Sequence, residues 1–158
     1  MERHEPEPPS YDVVPCPSCG KSNRVPASAA GTPRCAVCHA DLPWLINAGE
    51  LNFDDAIRSR LPVLVDLWAP WWGPCRIIAP GVSRASQELA GRLKVVKVNV
   101  DEAPGVSARF GVQGIPTLII LRNGQPIARQ VGAVPADRLV SWARQAVNEP
   151  TSPSGSDR

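Results

Sequence analysis

Apolar positions recur with two different periods along this chain, and the places where the period changes mark its elements. Leu61 to Leu67 is apolar except for Asp66, which predicts a strand buried on both faces. After an aromatic, Pro/Gly-rich interruption, Ile78, Val82, Ala85 and Leu89 fall at helical spacing, so a helix follows the turn. Leu93 to Asp101 alternates, with Val96, Val98 and Val100 on one face and Val95, Lys97 and Asn99 on the other. Pro104 to Phe110 reads as a short helix with Val106 and Phe110 one turn apart. Asn123-Gly124 separates Leu118–Arg122 from Pro126–Val131, a two-residue hairpin signal. Pro135-Ala136-Asp137 opens a last helix whose Leu139, Trp142, Ala143, Ala146 and Val147 share an apolar face. Upstream, Trp44-Leu45-Ile46 suits an edge strand, and Asn52 reads as the N-cap of a helix ending near Arg60, with Phe53, Ala56 and Ile57 inward. Strands alternating with helices and closing on a hairpin give an α/β domain, a mixed central sheet flanked by helices.

Composition sets the boundaries of that domain. Residues 1–12 and 149–158 are rich in Pro and in charged or small polar residues, and are expected to be disordered tails. Between them, residues 13–41 form a small cysteine-bearing unit and residues 42–148 the α/β domain. A net charge of +2 supplies no field of the kind nucleic acid requires, and no run approaches membrane-spanning length. No secretory leader is visible at the start, so a cytoplasmic protein is expected, and a monomer. In that compartment five cysteines point to metal or redox chemistry before structural disulfides.

Four of the cysteines form Cys16-Pro-Ser-Cys19 and Cys35-Ala-Val-Cys38, a C-x2-C-x15-C-x2-C spacing suited to a four-cysteine zinc ribbon. Disulfides or loose thiols are the lesser alternative. About 30 residues cannot bury a sufficient core, so the ion would supply folding free energy. A closed shell of four sulfurs leaves no place for substrate, which makes the metal structural, and His39 reads as a surface residue and not a ligand.

The fifth, Cys75, ends Trp68-Ala-Pro-Trp-Trp-Gly-Pro-Cys, placed between the buried strand and its helix. Asp66 has apolar neighbours in the strand and should have a raised pKa; a carboxylate hydrogen-bonded at a strand end is the plainer account. Trp68 reads as packing, whereas Trp71 beside the turn reads as exposed and able to contact polypeptide. Pro74 fits the first helical turn and Pro80 should kink the helix. Gly132 suggests a bulge or a close backbone approach.

In order, Val-Asp-Leu-Trp-Ala-Pro-Trp, Gly-Pro-Cys, Ile115-Pro116-Thr117 and the trailing Val-Gly-Ala resemble the motifs of the thioredoxin family over residues 42–148. With its four-cysteine leader the chain is similar to the zinc-ribbon-bearing bacterial type called thioredoxin 2. The resemblance implies the thioredoxin fold, protein-disulfide reduction, recharging by a thioredoxin reductase, and protein disulfide or peptide clients. It also implies that Asp66 serves the resolving cysteine Cys75, that Lys97 lies near Asp66, and that Pro116 is cis, leaving the Ile115 backbone free to pair with a peptide. Trp71, Gly73, Pro74, Ile115, Pro116 and Gly132 would then line the substrate groove. A solvated Lys97 and a trans proline at a strand start remain the alternatives.

One position departs from the family. Where the resemblance places the attacking cysteine stands Trp72, and an indole is no nucleophile. Dithiol exchange should be abolished or strongly impaired. The readings left are a disabled oxidoreductase scaffold, a redox-silent module that still binds clients, and monothiol chemistry at Cys75.

Overall fold

A computed structural model describes residues 11–148. The tail expectations for residues 1–10 and 149–158 therefore lie outside the described residues. Tyr11 and Asp12 were expected in the first tail but belong to a strand, β1 (Tyr11–Pro15), paired antiparallel with β2 (Ser22–Pro26). Tyr11 opposes Pro26, and the Arg24 guanidinium lies 5.0 Å from its ring centroid, contacts that composition alone does not announce.

The remaining elements are β3 (Trp44–Ala48), α1 (Phe53–Ile57), β4 (Val63–Trp68), α2 (Gly73–Glu88), β5 (Lys94–Asn99), α3 (Pro104–Arg109), β6 (Thr117–Arg122), β7 (Gln125–Val131) and α4 (Ala136–Asn148). Strands β3, β5 and β4 run parallel, and β6 and β7 follow antiparallel, giving the order β3-β5-β4-β6-β7. This is the expected thioredoxin fold, a mixed sheet between helices.

Alternation along the strands sends side chains to two cores. On one face Leu64, Val95, Leu118 and Ile120 meet Ile78, Val82, Ala85 and Leu89 of the α2 segment and Leu139, Val140, Ala143 and Ala146 of α4. Gly81 lets these helices approach, because a Cβ there would stand 3.0 Å from the Ala136 Cα. On the other face Val63, Val65, Leu67, Val96, Val98, Ile119 and Leu121 pack with Phe53 and Ile57 of α1, Val106 of α3, and Val25 and Leu42 from the cysteine-bearing unit.

Three local expectations are corrected. Asn52 stands at the N-cap of α1, but its carboxamide oxygen accepts the Gly49 N–H at 2.8 Å and caps nothing. That helix stops at Ile57 and not near Arg60, because Arg58 turns to extended backbone. Gly132 makes neither a bulge nor a close approach. A Cβ there would meet open space, and the irregularity in the hairpin lies between Ile120 and Leu121. What position 132 needs is its φ of +94°, which aims its N–H at the Pro116 carbonyl, 2.9 Å away.

Candidate functional site

Strand β4 ends at Trp68, and the chain crosses to α2 through a tight turn. Trp72 donates its N–H to the Ala69 carbonyl at 3.2 Å, and Cys75 donates to the Trp72 carbonyl at 3.1 Å. Trp72 is the N-cap residue, with φ −102° and ψ 118°, and Gly73 and Pro74 begin the helix. A thiol at an N-cap faces free N–H groups and the positive end of the helix dipole, which favour the thiolate. The group in that place here is an indole, 42% exposed.

Cys75 lies one turn in and is only 6% exposed. Burial pushes its thiol up, the nearby Asp66 charge adds to that rise, and the Ala69 backbone and the Lys97 charge oppose it. The one sulfur of the turn is thus covered and held protonated.

Asp66 is 2% exposed, and its Oδ1 has no hydrogen-bond partner, so the plainer account of a bonded strand-end carboxylate does not apply. Burial raises its pKa from the usual 3.8 to about 6, with the Lys97 charge pulling the other way. Lys97 is its neighbour in the β4–β5 register and is half-buried, and its ammonium lies 5.2 Å from the Trp68 ring centroid. Lys97 thus lies near Asp66, as the resemblance implies, with its side chain partly covered. Trp68 is half-buried, and its indole Nε1 is buried without a partner.

The Ile115–Pro116 peptide bond is cis, as the resemblance implies. Thr117 pairs with Leu67, so Pro116 stands beside the end of β4, where the tryptophan-bearing turn starts. Thr117 fixes this corner by donating its hydroxyl to the Gly114 carbonyl. Pro116 is buried, whereas Ile115 is half-buried at the rim. Trp71 is 63% exposed; its indole N–H donates to an Asp101 carboxylate oxygen at 2.6 Å, and its ring meets that of Trp72 edge-to-face with centroids 5.9 Å apart. Residue-by-residue reading missed Val131, which is exposed and close enough to Gly114 that a Cβ on the glycine would lie 3.1 Å from a valine methyl. Its sequence signal was its place in the trailing Val-Gly-Ala, at the end of the second hairpin strand.

The four remaining cysteines converge. Their sulfurs lie within 4.8 Å of one another, and Cys16–Cys38 and Cys19–Cys35 stand 3.5 Å apart. An ion with metal–sulfur bonds of about 2.3 Å in a tetrahedron needs sulfurs about 3.8 Å apart, so the cluster fits a four-coordinate metal ion. Each pair sits on the same kind of turn: Ser18 N–H and Val37 N–H point at the Cys16 and Cys35 sulfurs, both at 3.4 Å. Gly20 and His39 occupy matching places with φ of +79° and +65°. His39 is exposed and stands outside the sulfur cluster, as expected. Backbone N–H groups, that of Cys38 foremost, hold the Cys35 thiol down at about 6, and that of Cys19 lowers Cys16.

Redox turn and cysteine cluster lie at opposite ends of the sheet. Trp44, which follows the cluster in sequence, pairs with Lys94 at the start of β5, while Trp68, which precedes the turn, pairs with Asn99 at its end. Five residue steps of strand span about 16 Å. Cys75 is not among the converging sulfurs, and Cys16 instead shares a recess with Ser83, Ser86 and Gln87 in the last turns of the helix whose first turn carries Cys75, so the cluster is not placed to resolve a disulfide formed there.

Comparison with known proteins agrees with this geometry. The family profile described as Thioredoxin matches residues 45–145. The chain is 41% identical over 104 residues to a thioredoxin of Haemophilus influenzae, an alignment covering 65% of this chain and 97% of that protein. It is 52% identical over 97 residues to thioredoxin 1 of Chlorobaculum tepidum, covering 61% and 96%. A chloroplastic M-type thioredoxin of Chlamydomonas reinhardtii is 38% identical over 136 residues, covering 84% and 93%. Among the described residues no helix is long and apolar enough to cross a membrane.

Proposed function

This chain belongs to the thioredoxin family, and from that premise we propose that it is a thioredoxin-type scaffold whose dithiol exchange is abolished or strongly impaired by Trp72. Exchange needs a thiolate to attack one sulfur of the client disulfide, releasing the other as a thiolate, and then a second thiol to break the mixed disulfide. The turn holds one sulfur, buried and with a raised pKa. Asp66 remains beside it as a proton acceptor that titrates near neutrality, but the nucleophile it would follow is missing. The indole at the N-cap is the observation that carries this reading.

A second reading is supported by the exposed faces. Trp71, Trp72, Ile115 and Val131 give the rim around the cis-proline an apolar surface suited to an extended polypeptide, so the chain acts as a redox-silent client-binding module. Monothiol chemistry at Cys75 is weakened by its burial.

The cysteine cluster holds zinc, with Cys16, Cys19, Cys35 and Cys38 as ligands and the ion in a folding role. The chain divides into this ribbon, residues 13–41, extended at its start to Tyr11, and a thioredoxin domain, residues 42–148. It works as a cytoplasmic monomer on protein disulfide or peptide clients, and a thioredoxin reductase is its other proposed partner.

Insulin-disulfide reduction with dithiothreitol tests the primary reading. The chain as it stands is expected to give background rates and Trp72→Cys to turn over. Substantial turnover by the unaltered chain overturns both readings.

A further inference from the structure

Lys94 is the feature that neither the redox turn nor the cysteine cluster accounts for. It opens β5, is 0% exposed, and has no ion-pair partner among the described residues. Its ammonium donates to the Ala27 carbonyl at 2.7 Å and sits 4.2 Å from the centroid of the Trp44 ring. Trp44, equally buried and its partner in the β3–β5 register, donates its indole N–H to the preceding carbonyl, Pro26, at 2.8 Å.

Two side chains of the main sheet thus seize two successive carbonyls where β2 of the cysteine-bearing unit ends. Pro26, opposite Tyr11, is the last β2 residue paired with β1, and Ala27 follows it with no partner in that hairpin among the described residues. Cation, indole face and carbonyl make one compact contact, and burying an ammonium costs stability unless such partners receive it. Nearby, the Asp41 carboxylate lies against Gly91, which sits in the turn before β5 with a φ of +80° that suits glycine.

We propose that Lys94 and Trp44 form a clamp that fixes the ribbon as a rigid extension of the thioredoxin sheet, so that it is neither an independently tethered module nor a mobile arm. The metal closes the two cysteine turns, whereas the clamp sets where the closed ribbon sits. The two roles separate: loss of the clamp loosens the ribbon without emptying the metal site, because neither residue is a ligand and Lys94 is remote in sequence from all four cysteines.

Hydrogen exchange on the full chain as purified, read peptide by peptide and paired with metal analysis, tests this. In Lys94→Met, exchange in residues 22–27 is expected to rise about tenfold or more, with residues 63–68 and 117–122 unchanged and the metal content as in the parent. Trp44→Phe, which removes one N–H and keeps most of the ring, should move residues 22–27 in the same direction by less. Unchanged protection of residues 22–27 in both variants would overturn the proposal and leave docking to the shared apolar core. So would loss of metal in step with the loss of protection. Should Lys94→Met expose the sheet itself, Trp44→Phe decides by the same two readouts.

Discussion

Lys97 stands opposite Asp66 across the β4–β5 register, yet its ammonium lies over the Trp68 ring and the Asp66 Oδ1 is left without a hydrogen bond. The carboxyl is therefore governed by burial, and Lys97 offsets only part of its rise from 3.8 to about 6. The folded chain holds this proton more tightly than the unfolded chain. Its contribution to stability is complete below about pH 4 and is lost as pH climbs through about 6. At neutral pH the ionised group costs about 3 kcal/mol. Asp66→Asn should raise the melting temperature at pH 7 and flatten the stability profile between pH 4 and 6. Parallel profiles for the two proteins would contradict this.

Cys75 should label slowly. With its thiol buried and its pKa raised, Ellman's reagent at pH 8 is expected to react with it about tenfold or more slowly in the native chain than after unfolding. Labelling is read on the Cys75 peptide by mass spectrometry, because unfolding releases the ribbon thiols along with their metal. Fast native labelling of Cys75 would restore the monothiol reading.

Trp72→Ala separates binding from folding. The ring is partly exposed and touches Trp71 edge-to-face, so its loss should cost about 1 kcal/mol or less in urea denaturation. If the apolar rim receives clients, affinity for an extended apolar peptide, followed by calorimetry, should fall several-fold. An unchanged affinity would remove Trp72 from the binding surface.

The ribbon should carry about one zinc per purified chain, and Cys35→Ser should bring that ratio close to zero, measured by atomic absorption. A metal-free wild-type chain with β1 and β2 still protected from exchange would show that the sulfurs cluster without an ion.

Gly81→Ala probes the contact between helices. The new methyl would meet the Ala136 backbone at 3.0 Å and a Leu139 methyl at 3.3 Å, so α4 must move. A loss of about 1–3 kcal/mol is expected in chemical denaturation. A stabilised variant would mean that α4 gives way without cost.

Most of the sheet is readable because Val63 to Leu67 is a continuous apolar run buried on both faces, Val95 to Val98 sits in an alternating stretch, and Asn123 and Gly124 take the positive φ values that their residue types favour. The cysteine pairs were readable because ligand spacing is a local property. Lys94 was not legible. A lysine at a strand start reads as solvated, and only carbonyls contributed by a hairpin some 67 residues upstream make its burial tenable. Asn52 misled for a related reason: its type suits a cap, but a nearer N–H at Gly49 claimed the side chain. The two-residue shortfall at β1 came from judging Tyr11 by its Pro-rich neighbours, when its partners are Pro26 and Arg24.

The separation of sulfur cluster and tryptophan turn along β5 gives the molecule a front and a back. A resin or sensor chip coupled through the ribbon would hold the protein by its back and leave both indoles turned to the solution. Immobilised in that orientation, the chain would put the client-binding reading to a direct test: any captured proteins should wash off with salt or peptide and not with reductant.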